Sequence, residues 1–391
     1  MSLKIELQTL NIGIKDSIHD AVCFKLPKNS ITAMVTTKNR YAAAPVILSK
    51  INLKKNQPKY LFINSGNANA CTGKVGAQNA QKCTKALSKK LKCKESEILL
   101  FSTGIIGKQL PIDIINNKIA KHKFQFKSSW SAASKAIMTT DAYNKFYSKS
   151  FLLNNKKVTI KAISKGAGMI EPNMATMLAF ISIDLKLNKQ ILSKLLKQIT
   201  DSSFNSISVD GDMSTNDSVA LISWGEMNSI KFLQNSKNYK KLLYELTLCC
   251  QTLARMIIQD GEGATKSILI NVNKSKNKKE AKLVAYSLAN SNLIKTAMYG
   301  ADPNWGRIIA RLGSIDNVKY TPEKVKLKIN DMMVFNKGVQ SNNFNLKSLN
   351  KSMKKKEITI DIDLNSGDAS HTVITSDLTE KYVHINSAYT T

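Results

Sequence analysis

Several kinds of segment are scarce in this sequence of 391 residues, and each scarcity excludes a class of protein. No apolar run approaches the roughly 18 residues of a membrane span, so we expect no transmembrane segment. The six cysteines form no C-x-x-C pair and show no metal-ligand spacing, which predicts reduced thiols and no metal site. The start of the chain lacks a basic segment followed by an apolar one, so we expect no signal peptide and a cytoplasmic protein.

Acidic residues are also scarce. There are 28 Asp and Glu against 58 Lys and Arg, which gives a formal net charge of +30. Such an excess suggests, as one alternative, a non-catalytic protein that binds nucleic acid with a steep salt dependence. The lysines are spread along the chain, however, without interleaved aromatics and without a DNA-reading motif. We therefore interpret most of them as solvated surface residues and expect neither a nucleic-acid nor a membrane partner.

The sequence does contain an ordinary apolar fraction, 43%, arranged in both strand and helix periods. Period-two alternation with β-branched residues predicts strands at 96–102, 156–164, 176–185, 206–210, 266–273, 357–364 and 382–386. A period near 3.6 predicts helices at 78–92, 128–138, 188–200, 239–258, 279–290 and 304–312. Strands and helices mixed in this way predict an α/β fold, built as an α+β layered sandwich.

Familiar catalytic motifs are few. The four histidines are scattered, and no G-x-S-x-G segment is present to anchor a serine triad. The segment VDGDMSTND (209–217) alternates acidic and hydroxyl residues, but its spacing fails that of a calcium loop, so structural and site-supporting roles both stay open. The segment KGAGM (165–169) lacks the rest of a phosphate-binding loop, although Lys165 beside two glycines can anchor a carboxylate.

Two further segments with glycines are candidates for parts of an active site. Thr103 and Gly104 follow an apolar strand directly, and a tight turn there exposes a backbone N–H and a hydroxyl together, as an oxyanion hole requires. Glu262 lies between two glycines after a long predicted helix, and a carboxylate held in a crowded turn can recognise an ammonium group. Taken alone, each segment is also typical of an ordinary turn.

Thr176 opens a predicted core strand and offers a second use. A threonine hydroxyl needs a neighbouring base to act as a nucleophile, and cleavage between Ala175 and Thr176 supplies one as the new α-amine. The pKa of an α-amine is about 8, which suits a general base at neutral pH. The pattern alone leaves the structural and the nucleophilic interpretation open.

A set of long motifs narrows these alternatives because they occur together and in order. They are TTKNRYAAAPV (36–46), INSGNANACTG (63–73), STGIIGK (102–108), MTTD (138–141), GAGMIEPNMATMLAF (166–180), VDGDMSTND (209–217), DGEGATK (260–266) and GADPNWGRI (300–308). The set resembles the ornithine acetyltransferase family, also called glutamate N-acetyltransferase, from about residue 10 to the final INSAYTT.

This resemblance implies an enzyme of arginine biosynthesis that moves an acetyl group from N2-acetyl-L-ornithine to L-glutamate. It implies no cofactor, and it leaves open whether acetyl-CoA serves as a second acetyl donor. The implied fold is of the N-terminal-nucleophile kind, similar to self-cleaving aminopeptidases of the L-aminopeptidase/D-esterase type. A hydrolase, in which water resolves the acyl-enzyme, is therefore the alternative activity.

The resemblance also implies roles for single residues. Cleavage between Ala175 and Thr176 gives an α chain, 1–175, and a β chain, 176–391, which assemble as a heterotetramer of two α and two β chains. Thr176 is then the nucleophile, and Thr103 and Gly104 form the oxyanion hole. The implied substrate-binding residues are Thr139 or Thr140, Lys165, Thr176, Glu262, Asn386 and Thr391. Glu171 stands where the family more often has His or Ala, and its charge bears on the rate of cleavage.

Overall fold

The computed structural model describes residues 4–16, 19–171, 177–225, 236–342 and 344–388. Its strands are β1 (Glu6–Leu10), β2 (Ala21–Lys25), β3 (Ile31–Thr36), β4 (Tyr60–Asn67), β5 (Ile98–Ile105), β6 (Lys145–Leu153), β7 (Lys156–Lys165), β8 (Leu178–Ile183), β9 (Ile207–Ser208), β10 (Ser218–Ser223), β11 (Ser267–Ser275), β12 (Lys326–Ile329), β13 (Met332–Asn336), β14 (Val339–Gln340), β15 (Glu357–Asp363) and β16 (Ala369–Ser376). Its helices are α1 (Ala44–Lys55), α2 (Gly73–Leu91), α3 (Ile112–Lys121), α4 (Trp130–Ala136), α5 (Lys189–Asp201), α6 (Lys237–Gln259), α7 (Lys278–Ala289), α8 (Asn292–Tyr299), α9 (Trp305–Gly313), α10 (Leu346–Ser352) and α11 (Glu380–Ala388).

The chain divides into two compact units. Among the described residues, unit 1 comprises those up to Asn205 together with Asp212–Ile257, and unit 2 comprises Ser206–Gly211 and the residues from Ile258 to Ala388. Within the described residues, no helix combines the length and the hydropathy that crossing a bilayer requires.

Unit 1 contains two sheets that pack face to face. Their strand orders are β1-β2-β4-β5 and β3-β10-β8-β7-β6. Phe180 of β8 joins them, because its ring centroid lies 5.4 Å from that of Phe24 and 4.9 Å from that of Phe101 in the opposite sheet. Helices α2 and α3 cover the outer face of the first sheet, and α5 packs against β3 and β10 of the second. The prediction of an α/β layered sandwich is confirmed.

Strand β5 shows why this core produces continuous apolar sequence. Leu99 and Phe101 point into the layer between the two sheets, whereas Ile98 and Leu100 point toward the outer helices. Successive side chains of a strand point to opposite faces, so a strand covered on both sides is apolar at every position.

Unit 2 is built on one mixed sheet with the strand order β14-β13-β12-β15-β11-β16-β9. Ile268 and Ile270 of β11 are fully buried in a core that includes Val284 and Leu288 of α7. Asn271 points to the opposite face, where its side chain donates to Asp361 at 2.8 Å. One face of this sheet is therefore apolar and the other is polar, as alternation along a half-covered strand predicts.

The predicted helices all occur, with ends shifted by a few residues. The helix predicted at 239–258 is α6, and Leu242 and Leu246 of its predicted apolar face are fully buried. The strand predicted at 382–386 is wrong, because YVHIN lies inside α11. The pattern of a short run with β-branched residues fits a strand and part of a helix equally, so the flanking residues determine which structure forms.

Candidate active site

Thr103 and Gly104 lie near the end of β5, beside the parallel strand β4. We expected them in a tight turn after the strand, and the structure corrects this, because β5 continues to Ile105. The reason is the close approach of the two strands: Gly104 pairs with Gly66 and has a φ of +132°. Glycine tolerates this conformation because it has no Cβ. The two residues predicted for the oxyanion hole thus sit on a rigid strand.

Lys165, the last residue of β7, brings three predicted site residues together. Its side chain is almost fully buried, at 4% exposure. The ammonium Nζ donates to Thr139 Oγ1 at 2.7 Å and to Thr103 Oγ1 at 3.0 Å. Between Thr139 and Thr140, which the sequence left open, it is the Thr139 hydroxyl that contacts Lys165. The arrangement places a buried positive charge directly on the hydroxyl of the expected oxyanion hole.

Asp141 accepts hydrogen bonds from the backbone beside Lys165 and Thr139, and it was not predicted as a site residue. Its carboxylate accepts hydrogen bonds from the Gly166 N–H and from Lys145 Nζ, both at 2.7 Å. The Thr139 N–H donates to the second oxygen at 3.0 Å. Burial opposes ionisation of Asp141, but the charges of Lys165 and Lys145 and the two hydrogen bonds outweigh it and lower its pKa to about 2. Asp141 is therefore a carboxylate at every physiological pH.

A few lysines are exceptions to the expectation that most basic residues lie on the solvated surface. Lys145 and Lys295 are 0% and 3% exposed, and Lys165 is nearly as deeply buried. Lys15 donates to the Met138 carbonyl at 2.6 Å, and its pKa is lowered by burial and by the like charge of Lys165. Buried charges need partners. Some lysines of this chain therefore belong to internal polar networks and not to the solvated surface.

Asp217 is a second buried carboxyl group in unit 1, with 1% exposure. Its Oδ1 accepts the N–H of Met177 at 2.9 Å, and the Met177 carbonyl accepts the N–H of Ser218 at 3.1 Å. Burial raises the pKa of Asp217 well above its ordinary value, against the opposing effects of the Met177 N–H, the Lys165 charge and the Ser214 hydroxyl. The backbone of Met177, which follows Thr176 directly, is thus held from both sides.

In unit 2, Glu262 and Asn386 contact each other. Asn386 Nδ2 donates to Glu262 Oε2 at 2.9 Å, from a helix and not from the strand we expected there. The loop that carries Glu262 is fixed at Gly263, which has a φ of +72° and whose carbonyl accepts the Thr379 hydroxyl at 2.8 Å. Farther along the loop, Asp377 accepts the N–H groups of Thr265 at 2.8 Å and Lys266 at 3.0 Å. The crowded turn predicted for Glu262 is present.

Comparison with known proteins identifies the family. The sequence model of a protein family, the ArgJ family, matches residues 6–391 of this chain. The chain belongs to the ArgJ family.

Two curated ArgJ-family relatives match nearly the whole chain. The arginine biosynthesis bifunctional protein ArgJ, mitochondrial, of Dictyostelium discoideum is 40% identical over 98% of this chain and 91% of the relative. The arginine biosynthesis bifunctional protein ArgJ of Pseudomonas fluorescens is 38% identical over 99% of this chain and 96% of the relative. The crystal structure of the protein of the same name from Bacillus halodurans matches with a TM-score of 0.51 and 32% identity, over 54% of this chain and 98% of that chain. The family predicted from the motifs is confirmed.

Apart from Thr140, which stays a predicted substrate contact, the predicted site residues of this ArgJ-family chain fall into three groups. Thr103, Thr139 and Lys165 are in direct contact in unit 1, with Gly104 next to them on β5. Glu262 and Asn386 are in contact in unit 2. Ala175, Thr176 and Thr391 lie outside the described residues, so cleavage and nucleophile stay predictions.

Asp141, Lys145 and Asp217 are the residues that sequence reasoning missed. MTTD was recognised as a motif, but its aspartate was not given a role, because its partner Gly166 is 25 residues away. Asp217 ends the segment VDGDMSTND, whose role was left open, and its partner Met177 is 40 residues away. The sequence did contain one signal for the two aspartates: each is an acidic residue inside a recognised motif, in a chain that has few acidic residues.

Proposed function

We propose that this chain is an acetyltransferase of arginine biosynthesis that moves the acetyl group of N2-acetyl-L-ornithine to L-glutamate. The observation that carries the proposal is the buried contact of Lys165 with Thr103 and Thr139, in a chain of the ArgJ family. The relatives are named as bifunctional proteins of arginine biosynthesis, which supports acetyl-CoA as a second acetyl donor. We further propose a mature assembly of two α and two β chains.

Cleavage comes first in this proposal. The Thr176 hydroxyl oxygen attacks the carbonyl carbon of Ala175, and the peptide C–N bond breaks as the acyl group moves from nitrogen to oxygen. Water hydrolyses the resulting ester and leaves a carboxylate on Ala175 and a free α-amine on Thr176. Strands β7 and β8 then belong to different chains but pair side by side, from Lys165 with Leu178 to Ile160 with Ile183. Sheet hydrogen bonds therefore hold the two products together.

Acetyl transfer then follows two steps. The α-amine of Thr176 takes the proton of its hydroxyl, whose oxygen attacks the acetyl carbonyl carbon, and the Thr103 hydroxyl and Gly104 N–H stabilise the oxyanion. Collapse expels ornithine, which takes up the proton, and leaves an acetyl ester on Thr176. The amine of glutamate attacks that ester to release N-acetylglutamate, so the kinetics are ping-pong. Loss of one oxyanion donor costs roughly 10² to 10³ in rate.

Recognition of the amino-acid substrates is assigned to polar groups at both predicted clusters. Lys165 offers a positive charge for a substrate carboxylate, and Glu262 offers a negative charge for an ammonium group. Asn386 holds the Glu262 carboxylate at 2.9 Å and so limits its rotation. Thr140 and Thr391 remain predicted substrate contacts.

The test is to supply N2-acetylornithine with a labelled acetyl group and to measure label in N-acetylglutamate and in acetate. We expect the label in N-acetylglutamate when glutamate is present, and little acetate when it is absent. Rapid acetate release without an acceptor would instead indicate a self-cleaving hydrolase. Thr176→Ala is the control, because it removes the nucleophile and should abolish both products.

A further inference from the structure

The carboxylate of Asp141 fixes the main chain at both ends of the Lys165–Thr139 hydrogen bond. One oxygen accepts the N–H of Gly166, which follows Lys165, at 2.7 Å. The other accepts the N–H of Thr139 itself at 3.0 Å. The side chain is completely buried together with its ion-pair partner Lys145. A single buried group thus sets the relative position of the strand end that carries Lys165 and the segment that carries Thr139.

The chemistry of lysine fixes the direction of the hydrogen bonds at Lys165. An ammonium group has three protons to donate and no acceptor. The hydroxyl oxygens of Thr103 and Thr139 must therefore accept from Nζ, and each hydroxyl keeps its own proton for another acceptor. A hydroxyl that accepts from a cation is a stronger donor, because hydrogen bonds in a chain polarise one another. The Thr103 hydroxyl is consequently prepared to donate to a developing oxyanion.

We propose that Asp141 is a positioning residue for the oxyanion hole, acting through Lys165 and Thr139 to keep the Thr103 hydroxyl polarised and its proton directed at the reacting carbonyl oxygen. The inference rests on the proposed acetyl transfer through Thr176. Lys145 has a supporting role: its positive charge neutralises the Asp141 carboxylate, so that Asp141 can be buried as an ion. Among the described contacts, Lys145 makes none with Thr103 or Thr139.

The perturbation is Asp141→Asn, which keeps the shape but replaces one acceptor oxygen by an NH2 group. In one orientation that NH2 group faces the Thr139 N–H, and in the other it faces the donors of Gly166 and Lys145. Two donors then face each other, so the backbone at Thr139 or at Gly166 must shift. A misplacement of about 1 Å at a catalytic group costs on the order of 10²-fold in rate. We expect kcat for acetyl transfer to fall by about that factor, with a smaller change in KM.

A double-mutant cycle with Thr103→Ala separates positioning from a general structural effect. In the wild-type background, Thr103→Ala removes an oxyanion donor and should cost roughly 10² to 10³ in kcat. In the Asp141→Asn background we expect a loss of about tenfold or less, because the hydroxyl is already misdirected and the two effects are not additive. Rates are expressed per cleaved chain, counted by intact mass spectrometry. If the kcat of the double variant falls by the full product of the two single-variant losses, the inference is overturned.

Asp184→Asn is the matched structural control. Asp184 also caps a backbone N–H, that of Thr159 at 2.6 Å, but at the opposite end of β7 from Lys165. Thr159 and Lys165 are six residue steps apart, which in an extended strand is about 20 Å. We expect Asp184→Asn to lower the melting temperature without coupling to Thr103→Ala. Coupling of equal size at Asp184 would also overturn the inference.

A second variant keeps the test decisive if Asp141→Asn does not fold or cleave. Thr139→Val removes the hydroxyl that accepts from Lys165, whereas Thr139→Ser retains it. We expect Thr139→Val to couple to Thr103→Ala and Thr139→Ser not to; equal behaviour of the two variants contradicts the inference. Failure of the wild-type enzyme to form N-acetylglutamate would instead refute the proposed function, so the two failures are distinguishable.

Discussion

Replacement of Gly104 by alanine is expected to force β4 and β5 apart at the end that carries the proposed oxyanion hole. The φ of Gly104 is +132°, where residues with a side chain rarely lie. A Cβ at this position lies 2.3 Å from the carbonyl carbon of Gly66 and 2.5 Å from the amide nitrogen of Asn67. Both are backbone atoms of the paired strand, so neither can rotate away, and the strands themselves must move.

The expected magnitude has two parts. Backbone strain of a non-glycine residue in such a conformation costs on the order of 1–3 kcal/mol. Forcing a methyl group into a closely packed site costs typically about 1–3 kcal/mol more. We therefore expect Gly104→Ala to lower the free energy of unfolding by about 2–6 kcal/mol. It should also abolish most acetyl transfer, because Thr103 moves with the strand.

Gly107 is the matched control in the same segment. Its φ is +80°, but a Cβ there meets no atom within 4 Å, so Gly107→Ala carries only the strain. Urea unfolding followed by the fluorescence of the three tryptophans compares the two variants. We expect a lower midpoint for Gly104→Ala at a similar dependence on urea. Equal midpoints for the two variants would refute the close approach of Gly104 to β4.

Three further predictions concern the core, the second unit and pH. Phe180→Ala should lower the free energy of unfolding by about 3–5 kcal/mol, whereas Leu152→Ala, at an exposed site, should change it by less than about 0.5 kcal/mol in the same urea assay. Asp377→Asn should cost about 1–3 kcal/mol, because it weakens a buried cap of the loop after α6; Asp363→Asn, which breaks only a half-exposed ion pair, should be nearly neutral in thermal unfolding. Burial lowers the pKa of His371 from 6.5 to about 4, so between these values the unfolded chain binds a proton that the folded chain does not. The stability should therefore fall as pH is lowered through this window, and His371→Gln should flatten the dependence of Tm on pH; an unchanged dependence contradicts the assignment.

Long periodic segments made the fold predictable, and short ones did not. Helix α6 was predicted because its apolar face repeats over about four turns, through Leu242, Leu246 and Leu253. The segment YVHIN has five residues, and its pattern fits a strand and a helix equally. The turn expected at Thr103 and Gly104 proved to be strand, because the glycine at position 66 that accommodates Gly104 lies on another strand.

Some residues of the candidate site were likewise predictable from the sequence, and others were not. Thr103, Lys165 and the alternatives Thr139 and Thr140 were named from motifs, because the motifs are specific as an ordered set although each one alone is not. Asp141 and Asp217 were not, because their roles come from contacts with residues 25 and 40 positions away, which only the folded chain brings close. The composition, in turn, suggested surface lysines and gave no sign that Lys165 is buried against hydroxyl groups.

The central claim is that the chain becomes active by cleavage before Thr176, and intact mass spectrometry of the purified protein tests it most directly. The account predicts two chains that meet between Ala175 and Thr176 in the wild type, and one intact, inactive chain in Thr176→Ala. An uncut wild-type chain with full acetyltransferase activity would contradict it.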